Sequence, residues 1–295
     1  MPQSITLLRD TWNEFSNDDC GTLAAALAYY TVFSLPAALL IVVKIAGAVL
    51  GESAVRGQLE SQLAGSMGPQ VAQQISVMIS HAATSTTGGT LALIFGILGL
   101  LWSASNITSQ LQSALNRAWS VRRKNESLSA VLIKRMLSFL LIVGIGLLVL
   151  VALTASSAAT AFSRSFGVPG VLVHAGEFVV SLLIFTFLFG AVYKVLPDVR
   201  IEWADVRAGA IVTALLFVIG KLLIGLYIGH TSIASGYGVA GSLALLLLWT
   251  YYSSMTFLLG AEFTKVWGRQ HGKVIEPDEH AVRIAIDDRR PRTAA

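Results

Sequence analysis

His174, Glu177 and Lys221 are ionisable residues set inside long apolar stretches, "GVLVHAGEFVVSLLIF" and "AIVTALLFVIGKLLIGLYI". A charge at the bilayer centre costs at least ~2.5–3.5 kcal/mol unless it is paired or hydrated. Such residues therefore mark a buried ion pair or a polar hollow. Helical rise places Glu177 about 9 Å and Lys221 about 10 Å below the same membrane face. These depths predict that the two face each other or share a water-filled cavity open on that side. His174, one turn from Glu177, would stand at its mouth. A structural ion pair, or two side chains hydrated separately, accounts for the spacing equally well.

The stretch "ALAYYTVFSLPAALLIVVK", residues 26–44, raises the same question. Pro36 lacks an N–H and its ring clashes with the carbonyl of Val32, so a kink is expected midway. Thr31 and Ser34 share one helix face, and Tyr30 lies one turn from Ser34. An interfacial tyrosine belt with hydroxyl contacts between helices explains the tyrosines. A helix lining a cavity explains the tyrosines and the broken backbone together, which makes Tyr30 and Ser34 candidate cavity residues. Lys44, at the far end, can reach the interface as an anchor.

Other chemistries find little footing. The 5 histidines are scattered, and no HExxH or paired acidic motif offers the converging ligands that metal-dependent hydrolysis needs. Asp18–Asp19 and Asp287–Asp288 fall in flanking segments without a framework. "GYGVAG" at 236–241 matches GxGxxG literally, but no strand pattern precedes it, so its glycines read as a tight turn and close helix approach. There is no GxxxxGK[ST] phosphate loop. A single cysteine, Cys20, can form neither an internal disulfide nor a metal cluster. Glu262 and Lys265, three residues apart, read as a local pair. The expectation is a protein that is not an enzyme, with no cofactor and no metal.

The elements that must position these residues are membrane helices. Of 295 residues 54% are hydrophobic and 13% charged, against roughly 25% charged in a soluble domain. Six stretches reach bilayer length: Leu23–Leu50, Thr90–Thr108, Leu137–Ala159, Val171–Leu196, Ala208–Ile228 and Gly238–Phe263. Seventeen of the 21 Lys and Arg fall on one side of this arrangement, which predicts cytoplasmic termini and a multi-pass protein of the bacterial inner membrane. The fold class expected is all-α and polytopic, with short amphipathic helices at the interfaces. One such segment is 51–89, with Val71, Ile75, Met78 and Ile79 on one face, lying on the outer surface. The other is 107–119, where Ile107, Leu111, Leu115 and Trp119 repeat every four residues. Arg122, Arg123 and Lys124, which follow it, form a solvated basic face or contact anionic lipid head groups. The chain divides into a cytoplasmic segment 1–22, a membrane domain 23–267 and a mobile tail 268–295.

Several phrases carry a family likeness: "ALAYYTVFSLPAALL", "LWSASNITSQLQSALNRAWSV", "VYKVLPDVRIEWADVRAGAIV" and "SGYGVAGSLALLLLWTYYSSMTFLLGAEFTKVW". Together, over residues 10–268, the chain resembles the YihY/BrkB family of bacterial inner-membrane proteins. The resemblance implies six membrane helices, links to virulence and the envelope, and in some members movement of envelope lipid or lipopolysaccharide. It also implies that the older label, ribonuclease BN, is a misassignment. The expected function is a transporter or flippase-like handler of an envelope lipid or other amphiphile. A non-transporting envelope scaffold is the alternative, and a ribonuclease the least favoured reading. The expected partners are membrane lipids, with a homo-oligomer or envelope proteins also possible, and no nucleic acid.

Overall fold

The computed structural model describes residues 3–67, 69–84, 106–124, 144, 170–230, 233–273, 275–279 and 281–284. In chain order these form α1 (Gln3–Asn17), α2 (Cys20–Leu50), α3 (Glu52–Met67), α4 (Pro69–Thr84), α5 (106–118) and β1 (Val121–Arg123). They continue with α6 (Gly170–Val195), β2 (Val199–Arg200), α7 (Trp203–His230), α8 (Ile233–Gln270), β3 (Glu276–Pro277) and β4 (Ala281–Arg283).

Among the described residues, four helices are long and apolar enough to cross a bilayer, over Cys20–Ala48, Phe178–Val195, Trp203–Lys221 and Leu243–Gln270. They correspond to the first, fourth, fifth and sixth expected spans. The expected spans Thr90–Thr108 and Leu137–Ala159 lie outside the described residues, apart from 106–108, which open α5, and Gly144. Pro36 sits inside a continuous 31-residue helix and is buried. The glycines of "GYGVAG" have helical backbone within α8, so the tight turn expected there is absent and the helix begins earlier, at Ile233.

α6 packs along α7, α7 along α8, and α8 along α2. Between α7 and α8 the backbones nearly touch: a Cβ on Gly260 would overlap Thr213 Oγ1, and one on Gly209 would meet Thr264 Oγ1 and the Gly260 carbonyl. Tyr193 of α6 fastens this crossing, donating to the Phe257 carbonyl at 2.6 Å and lying 2.9 Å from Thr213 Oγ1. Around it Phe189, Leu196, Val206, Ala210 and Leu258 close the main core.

Two amphipathic segments take deeper positions than expected. Val71, Ile75 and Ile79 of α4 are buried against Val32 and Leu40 of α2 and Leu245 and Leu246 of α8. By helical rise Val32 stands about 18 Å above the start of α2. The α3–α4 hairpin thus enters the bundle between long helices instead of lying flat on an outer surface. The reason is that three unbroken apolar contacts on α4 are better satisfied by a helix groove than at a wet interface. α5 behaves alike: Leu115 and Trp119 are buried in the main core, with Trp119 edge-on to Tyr193 at 6.0 Å.

The chain ends are also paired. β4 runs antiparallel to β1, with Arg122 opposite Val282, and β3 runs antiparallel to β2, with Val199 opposite Pro277. Within the stretch 268–295, read from sequence as a mobile tail, residues 276–277 and 281–283 are thus paired strands. The mixed charges that suggested a solvated tail are used in links: Arg200 bridges Asp278 and Glu279, and Lys273 bridges Asp205 and Glu202.

Candidate functional site

α1, the α5–β1 segment and the strands β3 and β4 lie at one end of the bundle, the basic end. Its geometry starts at the α1–α2 corner. Asp19 adopts a left-handed backbone (φ 53°), a conformation that Asp tolerates better than most residues. The sharp corner turns Asp18 inward, where it is buried. Lys265 of α8 lies there, its Nζ 2.7 Å from Glu14, 2.9 Å from Asp18 and 2.9 Å from Glu262. An ammonium has three N–H donors, and each meets one carboxylate. Arg269 adds a second cation on Glu14 at 3.0 Å. Burial alone would raise the Glu14 carboxyl, but hydrogen bonds and positive charge from Lys265 and then Arg269 hold it below the usual carboxylate range. The oxygens of Glu14, Asp18 and Glu262 lie within 4.8 Å of one another, as metal ligands would. Lys265 Nζ touches all three, so the cluster already holds a side-chain cation where a divalent ion would sit. The Cys20 thiol faces Glu262 at 3.8 Å.

A second hub centres on Asp198, which follows α6. Asn116 of α5 donates to its carboxylate at 2.7 Å and accepts its backbone N–H at 2.9 Å. Arg123 of β1 grips it through two nitrogens at 3.1 and 3.3 Å, and Gln112 donates at 3.3 Å. The Asp198 carbonyl accepts from the Asp278 N–H at 3.0 Å. The buried Asp198 carboxylate thus joins α5 and β1 to the α6–α7 link, while its backbone carbonyl holds the tail. A paired charge held this way is positional, since removing one partner leaves the others buried and unsatisfied.

Between the two hubs opens a pocket of about 410 Å³, whose polar lining includes Asp18, Ser109, Asn116, Arg117, Arg122 and Arg123. Asp18 is committed to Lys265 and Arg123 to Asp198, whereas Arg117 and Arg122 are exposed on the rim. Two exposed guanidiniums beside serine hydroxyls and amide groups suit an anion such as a phosphate ester, since guanidinium presents a planar fork of donors.

The expected site residues are distributed differently. Arg122 faces the pocket, Arg123 shares itself between the pocket and Asp198, and Lys124 is exposed beyond the pocket lining. Arg123 is therefore no freely solvated charge; the buried Asp198 carboxylate draws it inward. Tyr30 and Ser34 separate: Ser34 is buried within the bundle, whereas Tyr30 lies outward beside exposed Tyr29 and Phe33. Lys44 meets Glu52 of α3 at 2.7 Å, both exposed. Lys221 is half-buried on α7. The side chains of His174 and Glu177 lie outside the described residues. Gly190 beside Ala210 and Phe185 beside Phe217 set the α6–α7 register, which carries position 177 to within about a turn of the height of Lys221.

Sequence reasoning found the Glu262–Lys265 pair, which the structure forms at 2.9 Å, but neither its partners on α1 nor the Asp198 hub. The usable signal was that Asn116, Arg117, Asp198, Glu262 and Lys265 all fall within the phrases that carried the family likeness.

Bilayer-length helices with rows of exposed apolar residues, such as Ile211, Leu215, Ile219 and Leu223 on α7, define a multi-pass membrane protein. The chain belongs to the family described as Virulence factor BrkB, which matches residues 11–285. It is 28% identical to a UPF0761 membrane protein of Pseudoalteromonas atlantica, over 90% of this chain and 87% of that one. It is 28% identical to a UPF0761 membrane protein of Cronobacter sakazakii, over 90% of this chain and 89% of that one. The putative ribonuclease-like protein YfkH of Bacillus subtilis is 26% identical, over 94% and 99%. No solved structure matches the chain.

Proposed function

We propose that this protein moves an anionic amphiphile, an envelope lipid, across the bacterial inner membrane, with the basic end in the cytoplasm. The observation that carries the reading is the pocket between the two hubs, with Arg117 and Arg122 exposed at its rim beside Ser109 and Ser113. A head-group phosphate would be gripped there by guanidinium and hydroxyl donors, while acyl chains stay among the bilayer-length helices. The strong bias of Lys and Arg to this end supports the cytoplasmic orientation. Glu177, His174 and Lys221 fit the same reading as polar groups along the outer half of the route. The role is a binding and carrying one, without catalysis, metal or nucleic acid. The ribonuclease wording attached to the Bacillus subtilis relative is not extended to this chain, because its acidic cluster is occupied by Lys265.

The test is reconstitution into vesicles with a fluorescent phosphatidylglycerol whose outer-leaflet label is reduced by dithionite. Protein-dependent loss of signal beyond the outer half is expected, and Arg117→Ala/Arg122→Ala should slow it. Under the alternative, a non-transporting envelope scaffold, movement is the same with and without protein. If Lys221→Ala leaves folding and lipid movement intact, the outer polar groups drop out of the route.

A further inference from the structure

α1 divides its circumference into three rows. Leu7, Thr11, Phe15 and, past its end, Asp18 are buried at 8%, 3%, 6% and 3% exposure. This row packs on the bundle: Leu7 meets Phe263 and Val266 of α8, with Ala208 and Val212 of α7 alongside, and the Thr11 hydroxyl is satisfied by the Leu7 carbonyl at 2.8 Å. The adjoining row is Ile5, Leu8 and Trp12, exposed at 52%, 65% and 60%. The remaining arc is polar, with Arg9, Asp10, Asn13, Ser16 and Asn17 exposed.

Three large apolar side chains in one exposed row are costly in water. Their neighbours show what covers them. Ala208 and Val212, which flank Leu7, sit beside Ile211 and Leu215 on the same helix, and those are exposed at 50% and 41% within a bilayer-length span. The outer row of α1 therefore continues the lipid-facing surface of α7 at the height where α7 leaves the bilayer. The charge cluster fixes α1 in this position through Glu14 and Asp18. Tryptophan, here Trp12 stacked on Phe15 at 5.7 Å, is a side chain suited to head-group depth.

We infer that α1 is an interfacial helix, its Ile5–Leu8–Trp12 row sunk in the lipid leaflet at the basic end and its Arg9–Asn13 side in water. The partner is the lipid surface itself. An amphipathic helix pinned to its own bundle needs no affinity of its own for the membrane; it is held where the apolar row meets acyl chains. Because Asn17 and Asp18 at its end line the pocket, the helix also sets that pocket's wall at the level of the lipid head groups.

The experiment places an environment-sensitive NBD label at Leu8→Cys, Trp12→Cys and Asn13→Cys in the full chain. The chains are reconstituted at high dilution in phosphatidylethanolamine–phosphatidylglycerol vesicles. Buried Cys20 is controlled for by labelling the unsubstituted chain. At positions 8 and 12 a blue-shifted emission is expected, with quenching by shallow nitroxide lipids at least about twofold stronger than at position 13, which iodide should quench instead. Water-like emission at 8 and 12 would overturn the inference. So would blue-shifted emission there without lipid quenching, which would mean that a second copy of the chain covers the row. Gel filtration and a wild-type melting profile for each labelled variant show that the fold under test is intact. Neither outcome depends on lipid transport.

Discussion

At the basic end of the bundle, position is set by charge. Lys265 gathers three carboxylates and Asp198 binds side chains from α5 and β1. Where α3 and α4 enter the bundle, position is set by apolar contact: Val71, Ile75 and Ile79 against Val32, Leu40 and Leu246, and Val55 and Leu59 against Val42, Val43 and Ala46. The difference matters for function. Apolar contacts are graded and non-directional, so they tolerate sliding and repacking. A buried charge hub is directional and fails abruptly when one partner goes. The pocket lies between two such hubs, where its shape can be held fixed while the apolar half has freedom to adjust.

The contrast predicts how each region breaks. Lys265→Met removes the ammonium shared by three carboxylates, leaving only Arg269 on Glu14, and should cost about 3–5 kcal/mol, seen as loss of folded protein in detergent. Adding Glu262→Gln to Lys265→Met should recover part of it. Ile75→Ala should cost about 2–4 kcal/mol in the same assay, but as a graded loss, with Ile75→Val much milder. Asp198→Ala should cost roughly 2 kcal/mol and also loosen the hold on Arg123 of β1, the strand that pairs with β4, so proteolysis between 271 and 284 should quicken more than global unfolding explains. The smallest effect concerns pH. The Glu14 carboxyl is held low in the folded chain, so its stabilisation is present above the unfolded carboxylate pKa and fades as pH falls through the lower, folded value. Glu14→Gln should flatten that acid limb by lowering stability at neutral pH, the two proteins converging at low pH where Glu14 is protonated in both.

Much of this was legible in sequence, for identifiable reasons. Bilayer-length apolar runs found α2, α6, α7 and α8 because periodicity is not needed to read a helix in lipid. The apolar row of α4 showed its helix but not its depth, because an interface and a helix groove ask for the same pattern. The hubs were illegible because their partners are far apart in the chain: Lys265 meets Asp18, and Asp198 meets Asn116, only after the helices pack. The two apolar rows of α1 were hard to read for a related reason. Its acids and Arg9 dominate the reading of the segment, while Ile5, Leu7, Leu8, Trp12 and Phe15 split into one row buried on the bundle and one exposed.

The central claim is that the pocket between the hubs takes an anionic lipid head group. Native mass spectrometry of the purified chain, exchanged against equimolar phosphatidylglycerol and phosphatidylcholine, tests it most directly. The account predicts preferential retention of the anionic lipid, lost in Arg117→Ala/Arg122→Ala while Lys124→Ala, outside the pocket lining, keeps it. Equal retention of both lipids, or a preference untouched by the double substitution, would contradict it.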